Sequence, residues 1–82
     1  MAQVATIVKV FPESMDHFED LKQRLQKHFK PLKIGEEEMA FGMKAIILTL
    51  ILNEDDGSEK IEHEIATFKG VSQAQIDSVD RL

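Results

Sequence analysis

The sequence predicts an α+β domain in which a four-stranded antiparallel sheet carries two helices on one face. Three observations predict it. Four stretches read as strands, two stretches between them carry apolar residues at helical spacing, and the order is strand, helix, strand, strand, helix, strand. The chain has 82 residues, 43% hydrophobic and 30% charged, so residues 1–82 are expected to form a single domain. A chain of this size buries only about 60% of the surface its unfolded form exposes, so nearly every apolar run has to be used.

The first strand is residues 3–11, with Val4, Thr6, Val8 and Val10 on one side and Ala5, Ile7, Lys9 and Phe11 on the other. Pro12 cannot donate to a ladder and ends it. Ser14 or Asp16 then caps a helix whose stripe is Phe18, Leu21, Leu25 and Phe29; Asp16 with Glu19 approximates a capping box. The helix stops where Lys30 meets Pro31, because the residue before proline is driven out of the helical region.

Residues 33–40 form a short edge strand, and the run Glu36, Glu37, Glu38 marks it as solvent-facing. Gly42 supplies a turn or bulge, and residues 43–52 make the strongest strand, apolar on both sides as a central strand should be. The acidic turn NEDDGS follows, and Asp56 or Ser58 caps a second helix with the stripe Ile61, Ile65 and Phe68 and with Gly70 past its end. Residues 71–79 close the fold as a strand whose apolar members are Val71, Ala74, Ile76 and Val79. This is the split βαβ, or ferredoxin-like, arrangement, with strands one and three central and strands two and four at the edges. The face without helices keeps Ile7, Phe11 and one side of strand three, an apolar surface that invites a partner or a second copy.

Composition removes several functions. The chain has no cysteine, which excludes disulfides, thiolate metal sites and cysteine nucleophiles, and a cytoplasmic setting is the expectation. The amino terminus shows no basic leader or cleavage pattern. The run MAFGMKAIILTLIL, residues 39–52, is shorter than the roughly 18–20 apolar residues a bilayer requires and contains Lys44, so no membrane segment is expected. Fifteen acids against ten bases give a net charge of -5, which disfavours nucleic acid and suits a basic partner surface. Lys22, Arg24, Lys27, Lys30 and Lys33 form a local cationic cluster, read as charges that complement the helix dipole and keep that face soluble.

No conventional active site is legible. His17, His28 and His63 stand in no ligand spacing; after His63-Glu64, Thr67 occupies the place of the second histidine of a zinc-protease helix. The acidic runs lack the pattern of a calcium loop, no glycine-rich phosphate loop is present, and no serine lies beside a base. An acylphosphatase-like enzyme would need an arginine and an anion-binding loop where VFPES stands. RNA-recognition modules share this topology, but after Phe41 strand three offers only aliphatic side chains for stacking. No metal and no cofactor are therefore expected.

Three stretches do carry a resemblance: VKVFPES, AFGMKAIIL, and GVSQAQIDSVDRL, with an acidic turn opening a helix between the last two. In this order, and over nearly the whole chain, the sequence resembles the archaeal elongation factor 1-beta family. The most specific parts are Phe41-Gly42 followed by an aliphatic residue and Lys44, and the terminal pair Arg81-Leu82. The family's eukaryotic members carry extra amino-terminal regions, so the chain looks like the exchange module by itself. The resemblance implies a noncovalent guanine-nucleotide exchange factor that promotes GDP release from the translational GTPase elongation factor 1-alpha.

It also implies two contact regions. Arg81, with Asp80 and Leu82 beside it, matches the position whose lysine in eukaryotic relatives reaches the magnesium and phosphate region of the GTPase. Arginine keeps the charge competition but not the geometry of a compact ammonium; the alternative is a frayed terminal charge. Phe41, presented beside Gly42, matches a second contact on the neighbouring GTPase domain, the alternative being a ring folded into the core; Lys44 either assists this contact or is a strand-end charge. A different class is a small ferredoxin-like regulatory or metabolite-binding module that dimerises through its open sheet face.

Overall fold

Alternation decides how the first strand faces. In the computed structural model, which describes residues 2–54 and 58–81, Gln3–Pro12 forms β1. Val4, Thr6, Val8 and Val10 are buried, whereas Ala5, Ile7, Lys9 and Phe11 are half-buried, because successive side chains of a strand point to opposite faces. The chain then makes a 3-10 turn, Met15–His17, before α1, Phe18–Phe29.

This turn corrects the expected capping. Ser14 accepts a hydrogen bond from the Asp16 amide at 3.1 Å, so it caps the turn. His17, not Asp16, precedes α1 and provides no side-chain cap, so the Asp16–Glu19 box does not form. Asp16 is already inside the tighter turn when the α-helix begins. Phe18, Leu21 and Leu25 are buried along one stripe of α1, and Phe29 packs at its margin. At the far end Lys30 turns left-handed (φ 48°, ψ 58°) and donates to the Gln26 carbonyl at 3.0 Å. Proline at the next position denies it the right-handed helical region, and a left-handed cap closes the helix.

β2 is Lys33–Glu38 and β3 is Lys44–Asn53; α2, Ser58–Ala66, and β4, Val71–Arg81, complete the chain. The four strands are antiparallel in the order β2-β3-β1-β4, so the two most apolar strands are central and the fold is the ferredoxin-like α+β arrangement. Val8 and Val10 of β1, Ile46, Leu48 and Leu50 of β3, Phe18, Leu21 and Leu25 of α1 and Ile65 of α2 make one core. Asp56, an expected cap of α2, lies outside the described residues, and Ser58 is already the first residue of the helix. Phe68 falls in the turn beyond α2, its ring 5.8 Å from that of Phe29, with the Arg24 guanidinium 5.6 Å from its centroid. Gly70 adopts φ 98° as the chain turns into β4, a conformation that favours glycine.

β2 is two residues shorter than the sequence suggests, and β4 two longer, running through Arg81. The pairing of β4 with β1 contains two register shifts. Phe11 faces Gln73 while Pro12 faces Val71, and Ile7 faces Ser78 while Val8 faces Ile76, so Ser72 and Asp77 are extra residues on β4. As a result Val71, Ala74, Ile76 and Val79 stand opposite Pro12, Val10, Val8 and Thr6, all on the helix side. The uneven spacing of the apolar residues is what two bulges require. Glu62 of α2 secures this edge by accepting a hydrogen bond from the Ile76 amide at 3.2 Å.

One polar group is left over in the core. Thr6 is fully buried, and its hydroxyl has no hydrogen-bond partner among the described residues. An unpaired buried hydroxyl is destabilising, so Thr6→Val should raise stability by about 1–2 kcal/mol. A higher urea midpoint at unchanged slope is the expected result of a denaturation series; a lower midpoint would show that the hydroxyl is satisfied.

Candidate functional site

Between β2 and β3 the chain reverses through Met39–Met43. The Met39 amide donates to the Met43 carbonyl at 2.7 Å, and the Met43 amide to the Ala40 carbonyl at 3.3 Å. Inside this closure Phe41 (φ 63°) and Gly42 (φ 73°) are both left-handed. Glycine takes that conformation freely, whereas for phenylalanine it costs about 1–2 kcal/mol. The ring receives no compensating burial, for Phe41 is fully exposed. Phe41 therefore faces outward at the hairpin tip and contributes nothing to the core.

Lys44 sits at the base of this tip. Its amide donates to Met15 Sδ at 3.4 Å, and its Nζ lies 3.5 Å from Glu36 Oε1. Lys22 of α1 reaches the other oxygen of the same carboxylate at 2.7 Å. The hydrogen bond from Lys22, aided by the charges of Lys22 and Lys44, holds the Glu36 carboxyl below its ordinary value, and the same bond raises the Lys22 ammonium. Glu36 thus ties α1 and the start of β3 to β2.

The acidic run of β2 is accordingly not simply solvated, as its composition suggested. On the other side of the sheet Lys9 of β1 reaches across β3 to Glu37 of β2 at 2.8 Å, and this hydrogen bond raises the lysine. Ala45, opposite Glu37, is fully buried although it lies on the face without helices. Part of the apolar surface expected to await a second copy is covered by the chain's own Lys9–Glu37 pair.

Arg81 lies at the other end of the sheet. It belongs to the β1–β4 ladder opposite Val4, so it is not a frayed charge. Its Nη2 is 2.7 Å from Glu54 Oε1, and its side chain remains 78% exposed. Asp80 is exposed opposite Ala5, on the face without helices, and Leu82 lies outside the described residues. Six residue steps of β1 separate Val4, the partner of Arg81, from Val10, the partner of Ile46. At strand geometry that is roughly 20 Å, with the hairpin tip further still. The structure therefore places Phe41, Gly42 and Lys44 together and Asp80 with Arg81 together, but keeps the two groups at opposite ends.

Glu36 and Glu54 belong to the two acidic runs, which the sequence marks as solvent-facing and not as ion-pair partners. Each meets its cation across the fold, at separations of 14 and 27 residues, and no local motif announces such pairs. His17, His28 and His63 are exposed, with the His28 ring against those of Phe29 and Phe68. Among the described residues no cluster of three or more His, Cys, Asp or Glu side chains could hold a metal, and no helix is long and apolar enough to cross a membrane.

The family model described as the EF-1 guanine nucleotide exchange domain matches residues 5–82. The chain belongs to that family. Elongation factor 1-beta of Aeropyrum pernix is 37% identical over 89 residues, spanning 100% of this chain and 99% of that protein. The protein of the same name from Methanosarcina barkeri is 38% identical over 90 residues and all of both chains. That of Sulfolobus acidocaldarius is 35% identical over 86 residues, 96% of each.

The exchange domain thus presents an aromatic ring at one end and a guanidinium at the other. The Glu36 carboxyl titrates below its ordinary value in the folded state, so its stabilising contribution is fully present above that value and lost as pH falls through the depressed one. Glu36→Gln should therefore flatten the acid limb of the urea-midpoint profile, the two proteins converging at low pH. Parallel profiles at every pH would show that the Lys22–Glu36–Lys44 network does not contribute.

Proposed function

We propose that the chain promotes release of GDP from the translational GTPase elongation factor 1-alpha, touching it at both ends of the sheet and forming no covalent intermediate. Family membership gives the reaction class. The single observation that supports the division into two contacts is the fully exposed Phe41 on a left-handed backbone.

A ring held outward by its own turn is already arranged for an interface. Burying it against a partner gains a large apolar area for little side-chain entropy. Gly42 lets the turn close behind it, and Lys44 sets a cation at the base of the tip. We assign these three residues to the contact away from the nucleotide.

Arg81 is assigned to the nucleotide end, with Asp80 and Leu82 flanking it. A guanidinium brought to the phosphates and carboxylates that hold a divalent ion competes for the same oxygens. Losing those oxygens weakens the hold on both the ion and GDP. Linkage then requires that the factor bind less tightly whenever GDP is present, so the complex dissolves as nucleotide returns. The exchange domain itself needs no cofactor for this, and its net charge of -5 argues against a direct nucleic-acid contact.

Release of fluorescent GDP from purified elongation factor 1-alpha tests the assignment. The unsubstituted chain should accelerate release. Phe41→Ala should raise the half-saturating concentration roughly fivefold to thirtyfold, as truncation of an interface anchor does, without lowering thermal stability. Arg81→Ala should lower the maximal rate roughly tenfold, on the order expected for loss of a charged contact at a phosphate. No acceleration by the unsubstituted chain would sink the proposal. Unchanged rates with both variants would leave the activity and remove these contacts.

A further inference from the structure

The ion pair between Arg81 and Glu54 has no role in the core, yet both partners are firmly placed. Glu54 follows β3, and its amide donates to the Ala2 carbonyl at 2.9 Å, so the β1–β3 ladder fixes its backbone. Arg81 is fixed opposite Val4 by the β1–β4 ladder. Val79, two residues before Arg81, stands opposite Thr6, which puts Arg81 on the helix-bearing side, and Glu54 meets its guanidinium from the end of β3. The pair spans the first residues of β1 from both flanks. Its contact is one nitrogen on one oxygen, Nη2 to Oε1 at 2.7 Å.

A guanidinium has five N–H donors in a planar fork, so a single held nitrogen leaves the other donors to meet an incoming anion. An ammonium carries its three donors on one nitrogen, so an acceptor that holds it and an incoming anion must crowd the same atom. We propose that Glu54 is a positioning residue: it aims Arg81 before the GTPase arrives and keeps hold of one edge while the other engages phosphate or carboxylate oxygens. This rests on the assignment of Arg81 to the nucleotide end. An exposed arginine that is already restrained loses less freedom when it binds, so the benefit lies in the step that expels nucleotide. The Phe41 contact, at the opposite end of the sheet, does not share it.

Simple charge counting gives the opposite sign. Glu54 subtracts from the attraction between this end and an anionic site, so neutralising it would speed exchange if only net charge mattered. The same GDP-release assay separates the two. Glu54→Gln should lower the maximal rate roughly threefold to fivefold, a range set by the modest worth of exposed ion pairs, while the half-saturating concentration stays unchanged. In an Arg81→Ala background, Glu54→Gln should have no further effect, because nothing remains to be aimed. A faster maximal rate would show a restraining latch instead, and an equal loss in both backgrounds a purely structural role; either overturns the inference. An unsubstituted chain that fails to accelerate release overturns the functional assignment as well, whereas an active chain with additive variants removes only Glu54.

Discussion

β1 is hydrogen-bonded to β3 on one side and to β4 on the other, and these two antiparallel registers position everything else in the molecule. A one-residue slip in either would turn an entire row of side chains to the wrong face. With β3, the register pairs Val10 with Ile46 and Val8 with Leu48, which builds the core and sends the β2–β3 hairpin past one end. With β4, the two bulges return each apolar residue to the helix side and deliver Arg81 beside Val4 at the other end. The distance between aromatic tip and cationic end is therefore a property of the sheet.

Charge acts on this frame locally. The exposed ion pairs are individually weak, and their consequence is geometric. Glu36 draws α1 and Lys44 to β2, Lys9 and Glu37 cross the face without helices, and Glu54 meets Arg81. In a chain of net charge -5, two of the ten basic side chains thereby sit at the ends where contacts with a GTPase are assigned. That suits noncovalent exchange, in which a partner must be gripped, altered and released.

Much of the fold was legible because burial enforces periodicity. Alternation in residues 3–11, the helical stripe from Phe18 to Phe29 and the apolar run of β3 each specify an element and its place. Capping was less legible, since a 3-10 turn and a first α-helical turn accept similar residues and only the geometry separates Ser14 from Asp16. The bulges were present in the spacing of Val71, Ala74, Ile76 and Val79, but simple alternation does not reveal them. Phe41 shows the limit most clearly. Its sequence position admitted either core or surface, and the decision came from two successive left-handed residues in a hairpin closed by its own hydrogen bonds. Pairs such as Arg81 with Glu54 depend on the tertiary register and have no local signal.

The most direct test is the spacing of the two ends while the GTPase is bound. The chain has no cysteine, so spin labels can be placed cleanly at Gln3→Cys and Glu38→Cys, exposed positions that border the two assigned contacts without belonging to them. Gln3 pairs with Asn53 and Glu38 with Lys44, nine steps apart along β3, so the labels should stand roughly 30 Å from each other. Pulsed electron paramagnetic resonance should give one narrow distance, the same free and in complex with nucleotide-free elongation factor 1-alpha, with both labels losing mobility on binding. A distance that broadens or shifts in the complex, or immobilisation at only one end, would contradict a rigid sheet that engages its partner at both ends.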